Sequence, residues 1–167
     1  TNEPYDVAVA GGGPAGAALA TFLARQGHRC IVFEPSKFPR YHIGESLIPH
    51  TYGILNRLGL LPKLRASAFP QKHSVRFVAQ NGGESAPFYF SETIPGEGAM
   101  TWQVERGEFD RMLLDHARAS GVDVCSERFV RSVIFENGRA VGVVATDETG
   151  AGGEVRAHVV VDASGRS

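Results

Sequence analysis

The chain has 167 residues, 43% hydrophobic and 21% charged, the composition of soluble globular protein with enough length for one domain, or one and part of another. Seventeen basic against eighteen acidic residues leave a net charge of −1, which excludes a global field drawing the chain to nucleic acid or anionic membrane; any anion must be held locally. No apolar run approaches the ~20 residues that cross a bilayer, and Thr1-Asn2-Glu3-Pro4 lacks the regions of a signal peptide, so a cytoplasmic location is expected. Cys30 and Cys125 lie far apart in apolar runs and read as buried reduced thiols. The histidines show no metal-ligand spacing, and no structural metal is expected.

Tyr5 to Ala10 reads as a buried strand. After a glycine run, Ala15, Ala18, Leu19, Phe22 and Leu23 recur at helical spacing, Gly27 sits where a helix ends, and Arg29 to Phe33 is again strand-like. Strand, helix and strand within about 30 residues make a βαβ unit and imply a parallel sheet. Pro35 to Pro49 is rich in breakers and aromatics and reads as a loop crossing a site. A short helix is predicted over Thr51 to Leu58, closed by Gly59. His73 to Gln80 and Ser85 to Phe90 flank Asn81-Gly82-Gly83, a hairpin signal. Gly107 to Ser120 returns to helical spacing with Phe109, Leu113 and Ala117 on one stripe, and Gly121 as the stop. Glu127 to Glu136, Arg139 to Thr146 and Glu154 to Val161 then form an antiparallel meander, with His158 to Val161 placed to rejoin the parallel sheet.

Gly11, Gly13 and Gly16 satisfy GxGxxG. The first permits the tight turn out of the strand, the second lets backbone approach a pyrophosphate, and the third lets helix and sheet pack closely. The helix start would face the phosphates with its unpaired N–H groups. Pro14 and Ala15 lie within this turn and are counted with it. Glu34, about 20 residues further on, suits the hydroxyls of a ribose and repels a 2′-phosphate, so FAD or NAD is favoured over NADP. Pro35 follows this acid and is counted as a cofactor neighbour. Within the βαβ unit FAD and NAD stay undivided.

Three further stretches, FPRYHIGESL (Phe38 to Leu47), QVERGEFD (Gln103 to Asp110) and VDASGR (Val161 to Arg166), occur in the order seen in flavoprotein monooxygenases. Within that superfamily the chain most resembles the flavin-dependent halogenases, particularly their phenolic and pyrrole branch, and FPR…IGES is the most specific point. The resemblance implies an α/β fold, a Rossmann-like FAD-binding domain of glutathione-reductase type with a parallel sheet, an antiparallel β-meander and the beginning of a β-rich substrate domain. It places residues 1–70 and 101–167 in the FAD-binding domain and 71–100 in a hairpin that starts the substrate domain. Ending just after DASGRS, the sequence reads as the N-terminal part of a longer protein, short of the family's GWxWxIP motif and third FAD motif.

By position, the resemblance implies that Arg40, Gly44, Glu45 and Ser46 lie along the flavin and that Gln103 and Arg106 contact its ribityl and phosphate portion. Asp162 and Gly165 match the second FAD fingerprint, and Val130 offers backbone groups to adenine. Each has an ordinary reading beside it: surface arginines, caps for the helix after Glu45 and Ser46, a plain strand valine, a turn aspartate. Lys72 in FPQKHSVRF resembles the halogenase lysine that hydrogen-bonds hypohalous acid or captures it as a haloamine; from chemistry alone it is a solvated strand-start lysine. Trp102 reads as packing material.

The implied activity is halogenation of an aromatic substrate, free or tethered to a carrier protein, using FAD reduced by a partner flavin reductase, oxygen, and chloride or bromide. A flavin hydroxylase, a geranylgeranyl-reductase-like enzyme, and an FAD- or ADP-binding module without turnover are the alternatives. No nucleic-acid or membrane partner is expected.

Overall fold

The computed structural model describes residues 3–165. In chain order the elements are β1 (Tyr5–Ala10), α1 (Pro14–Arg25), β2 (Cys30–Glu34), α2 (Thr51–Arg57), α3 (Leu61–Ala66), β3 (Gln71–Lys72), β4 (Ser74–Val75), β5 (Phe88–Tyr89), β6 (Thr101–Trp102), α4 (Arg106–Ala119), β7 (Asp123–Ser126), β8 (Phe129–Glu136), β9 (Arg139–Thr146) and β10 (Gly152–Asp162). They form two compact units, one built from the chain up to Tyr41 and from Gly107 onward, the other from His42–Arg106.

The first unit is α/β, as the βαβ pattern predicts. Its sheet runs β7-β2-β1-β10-β9-β8, with β7, β2, β1 and β10 mutually parallel. The parallel strands are short and apolar because both of their faces are covered: Ala8, Val9 and Val32 are fully buried. β10 serves two partners in turn. Gly152–Arg156 pair antiparallel with β9, and Ala157–Asp162 pair parallel with β1, so the meander does rejoin the parallel sheet. Ala8, Ile31, Phe33, Val143, Ala145 and Ala157 form a continuous core across both halves.

Helix α1 corrects one expectation. The face it buries is Gly16, Ala17, Ala20 and Thr21, two positions away from the predicted stripe; Ala15 is exposed, and Ala18, Leu19, Phe22 and Leu23 are half-buried. Small residues win that face because they let the helix approach the sheet closely: a Cβ on Gly16 would land on the Gly11 carbonyl oxygen. In α4 the buried set contains the predicted Phe109, Leu113 and Ala117 together with Gly107, Asp110 and Leu114. Strand β7, which pairs with β2, lacks a sequence signal of its own, since Asp123 and Ser126 bracket only Val124 and Cys125.

In the second unit, α2 and α3 carry Tyr52, Leu55, Leu61 and Leu64 into a core with Leu58, Leu60, Phe69, Phe90, Trp102 and Val104. Trp102 is fully buried and stacks on Tyr52, with ring centroids 6.2 Å apart and planes 5° from parallel. It is packing material, as expected. The predicted hairpin is much shorter than its sequence signal: β4 pairs with β5 over two residues each, and beyond them only the Val78–Glu84 bridge continues it. Residues 76–86 are exposed, so alternation along this ribbon buries no apolar face that would hold longer strands.

Candidate cofactor and catalytic sites

The glycine motif lies where β1 turns into α1. Gly11 takes φ +105°, and a Cβ there would land on the Ala163 carbonyl oxygen, so a side chain is excluded by both conformation and space. Gly11 N–H donates to Phe33 O at 2.8 Å, which ties the turn to the end of β2. Gly13 is the N-cap of α1 and Pro14 occupies the first turn; no side chain caps this helix start. Its backbone donors are therefore left to whatever binds there.

Glu34, at the end of β2, is 1% exposed. Its Oε2 accepts the Gly12 N–H at 2.9 Å and its Oε1 the Ser36 N–H at 2.8 Å. Pro35, between them, is exposed. Arg40 brings a guanidinium to the same place: Nη2 lies 3.7 Å from Glu34 Oε2 and 3.5 Å from Asp110 Oδ2, and a Cβ on Gly13 would meet Nη2 at 3.4 Å. Its Nε is buried and has no hydrogen-bond partner. Arg40 is thus no surface arginine; it joins two buried carboxylates beside the glycine turn.

Asp162 ends β10 directly beside Ala10, its register partner in β1. Its Oδ1 accepts from Ser164 Oγ at 2.6 Å and from Ser164 N–H at 3.0 Å, and these two bonds, the hydroxyl first, hold its carboxyl below the usual range. Ala163 N–H donates to Ala10 O at 2.8 Å, so the second fingerprint is stitched to the first. Gly165 is exposed beyond it, and Arg166 lies outside the described residues. Val130 is half-buried against the sheet core, as a plain strand valine would be. The carboxyl ends of β1, β2 and β10 therefore gather an uncapped helix start, a Cβ-free turn and a guanidinium with one unanswered buried donor. Such a donor set, aimed where parallel strands end, fits the pyrophosphate and ribose of FAD.

In the second unit, Gly44 takes φ +116°, and a Cβ there would meet Arg106 Nη1 at 2.9 Å. Arg106 Nη1 donates to Ile43 O at 2.9 Å, so this arginine is committed to the IGES loop. Glu45 Oε2 accepts the Gly44 N–H at 3.1 Å; bonding from the Glu45 and Gly44 amides lowers its carboxyl pKa. No side chain caps α2, whose N-cap is His50, so the capping reading of Glu45 and Ser46 is not what this chain uses. Gln103 is exposed and forms a β-bridge with Ser46.

Lys72 ends β3, opposite Thr101 of β6. It is half-buried, and its Nζ donates to Ser46 Oγ and, at 3.2 Å, to Leu47 O. The free, solvated strand-start lysine is therefore set aside. His73, next to it, is exposed.

Two participants escape a sequence reading. Asp110, 0% exposed, is the second carboxylate on Arg40. Its signal is positional, for Asp110, Leu113, Leu114 and Ala117 follow i, i+3, i+4, i+7, an acid on an apolar stripe. Ser164, which holds Asp162, carries no such mark.

The sequence and fold are matched in known proteins. Residues 4–167 match the family described as FAD binding domain. The chain is 35% identical to the 1H-pyrrole-2-carbonyl-(peptidyl-carrier protein) chlorinase of Pseudomonas fluorescens, covering 100% of this chain and 40% of that one. It is 36% identical to the corresponding brominase of Pseudoalteromonas luteoviolacea, covering 99% and 38%. Among solved structures, the myxobacterial chondrochloren halogenase, an FAD-dependent halogenase, superposes with a TM-score of 0.90 at 40% identity, over 98% of this chain and 38% of that one. The fold and the strand-end site define a Rossmann-type flavoprotein domain. This chain belongs to the FAD-binding domain family, and spans about two fifths of the length of these halogenase relatives.

Proposed function

We propose that this chain is the FAD-holding portion of a flavin-dependent halogenase that acts on an electron-rich aromatic, a phenol or a pyrrole, the latter carried as a thioester on a peptidyl-carrier protein. The observation that carries the reading is the capture of Lys72 by Ser46 and Leu47, which joins the two segments most specific to the halogenase resemblance, IGES and FPQK. The names of the chlorinase and brominase relatives support the pyrrole substrate.

Gly11, Gly13, Pro14, Ala15 and Gly16 would hold the pyrophosphate, Glu34 the ribose with Pro35 alongside, and Arg40 the same ADP half. Asp162 and Gly165 would complete it, with Val130 offering backbone to adenine. Gly44, Glu45, Ser46, Gln103 and Arg106 would line the ribityl and ring portion. Residues 71–100 would begin the substrate domain. Held by these residues and reduced through a partner reductase, FAD would supply the two electrons that, with halide and dioxygen, yield hypohalous acid and water. Lys72 then donates an N–H to the oxygen of hypohalous acid, which polarises the oxygen–halogen bond. The aromatic carbon takes the halogen and loses its proton, and the oxygen departs as water.

The test is the full-length protein with a flavin reductase, chloride or bromide, and phenolic or carrier-bound pyrrole-2-carbonyl substrates, read by mass spectrometry. Halogenated product that disappears in Lys72→Ala is expected. Hydroxylated product without halogen, or halogenation that survives Lys72→Ala, would reject the assignment.

A further inference from the structure

Lys72 does not reach Ser46 by chance of rotamer. The run Thr101 to Val104 lies between the two: β6 pairs with β3 on one side, Lys72 opposite Thr101 and Gln71 opposite Trp102. On the other side Leu47 N–H donates to Trp102 O at 3.2 Å, Val104 N–H donates to Glu45 O at 2.7 Å, and Ser46 bridges to Gln103. Gln103 N–H donates to Pro70 O at 2.8 Å, and the middle strand is anchored by fully buried Thr101 and Trp102. The Lys72 side chain spans this strand, and the backbone ladder on both sides fixes where its ammonium ends.

From this geometry we infer that Ser46 is a positioning residue for Lys72, selecting the one side-chain conformation in which a single N–H remains free for the reacting oxygen. The inference rests on the halogenase reading above. A lysine ammonium has three N–H donors and no acceptor. Ser46 Oγ and Leu47 O take two of them from one side, which leaves the third directed away from both. An unrestrained lysine would lose rotamer freedom each time it engaged its target. Here the restraint is built before the target arrives. The Leu47 carbonyl belongs to the backbone and cannot be removed by substitution, so the Ser46 hydroxyl is the adjustable half of the clamp.

This role differs from the flavin contact also proposed for Ser46, and the two are separable in the full-length protein with its reductase. The readout is halogenated product formed per reduced flavin consumed, beside FAD affinity by absorbance titration. Ser46→Ala should lower that yield about tenfold while FAD affinity stays within about twofold, and Ser46→Thr, which keeps the hydroxyl, should recover most of it. An unchanged yield in Ser46→Ala alongside an inactive Lys72→Ala enzyme would overturn the positioning role while the halogenase reading stands. A tenfold loss of FAD affinity with unchanged yield per bound FAD would assign Ser46 to the cofactor instead. Halogenation surviving Lys72→Ala would overturn the halogenase reading and the positioning role together.

Discussion

Glu34 Oε2 accepts the backbone N–H of Gly12 at 2.9 Å, so the acid at the end of β2 holds the glycine turn. One carboxylate thus couples the two halves of the nucleotide motif before any nucleotide binds. Glu34→Gln keeps the volume but can set an amide N–H against the Gly12 donor. With Glu34 buried, that substitution is expected to cost about 1–3 kcal/mol, lowering the melting temperature by about 2–4 °C per kcal/mol, and to weaken FAD binding. Thermal denaturation with and without FAD measures both effects.

Asp110 gives the sharper stability prediction. It is fully buried on α4 and its Oδ2 lies 3.5 Å from the Arg40 guanidinium. Asp110→Ala strips one of two carboxylates from a guanidinium that is 22% exposed, and is expected to destabilise the fold by about 3–5 kcal/mol. Asp110→Asn, which keeps shape and an acceptor, should lose less. A denaturant titration that finds Asp110→Ala within experimental error of the parent would show that Arg40 needs only Glu34.

The Ser164 hydroxyl and amide hold the Asp162 carboxyl below its usual range. A depressed carboxylate contributes its stabilisation in full above the unfolded-state value, about 3.9 for aspartate, and loses it as the pH falls through the folded value. The turn joining β10 to the glycine site should therefore stay closed through the neutral range and open only in acid, below that unfolded value. NMR titration should show the Asp162 carboxyl and Ser164 amide moving together, with Ser164→Ala shifting the Asp162 midpoint upward. Titration of Asp162 at the ordinary aspartate value in the parent protein would contradict this.

Cys30 is 1% exposed in β2, and burial first, then the Asp6 charge, pushes its thiol upward. Both changes lower the thiolate population that reacts. In a Cys125→Ser background, Cys30 is expected to react with a thiol reagent near neutral pH at least roughly a hundredfold more slowly than in denaturant. Rapid native labelling would place β2 at the surface.

The sequence carried the elements whose signals are local. GxGxxG between a β-rich run and a helical run has one physical solution at short range, a tight turn of strand into helix, so the βαβ unit and its acid were legible. The Asn137-Gly138 turn marks β8 and β9 in the same way, since Asn137 at φ 51° and Gly138 at φ 78° supply the conformation the turn needs. The hairpin at Asn81-Gly82 misled on length, because a turn signal sets where a ribbon reverses and only burial decides how far it pairs. The stripe on α1 misled by two positions because the apolar period does not say which face the sheet can approach, and that choice fell to the smallest residues.

What joins residues far apart in sequence was decided only by tertiary structure. Arg40 and Asp110 are 70 positions apart, and their ion pair exists because β2 and α4 belong to one unit. Ser46 and Lys72 meet across a strand supplied by residues 101–104. The sequence by itself determined the kind of nucleotide site, since turn chemistry and helix dipole act over a few residues. Which side chains meet at that site and around Lys72 was left to the folded chain, because a side chain's partners depend on the register and packing of distant segments.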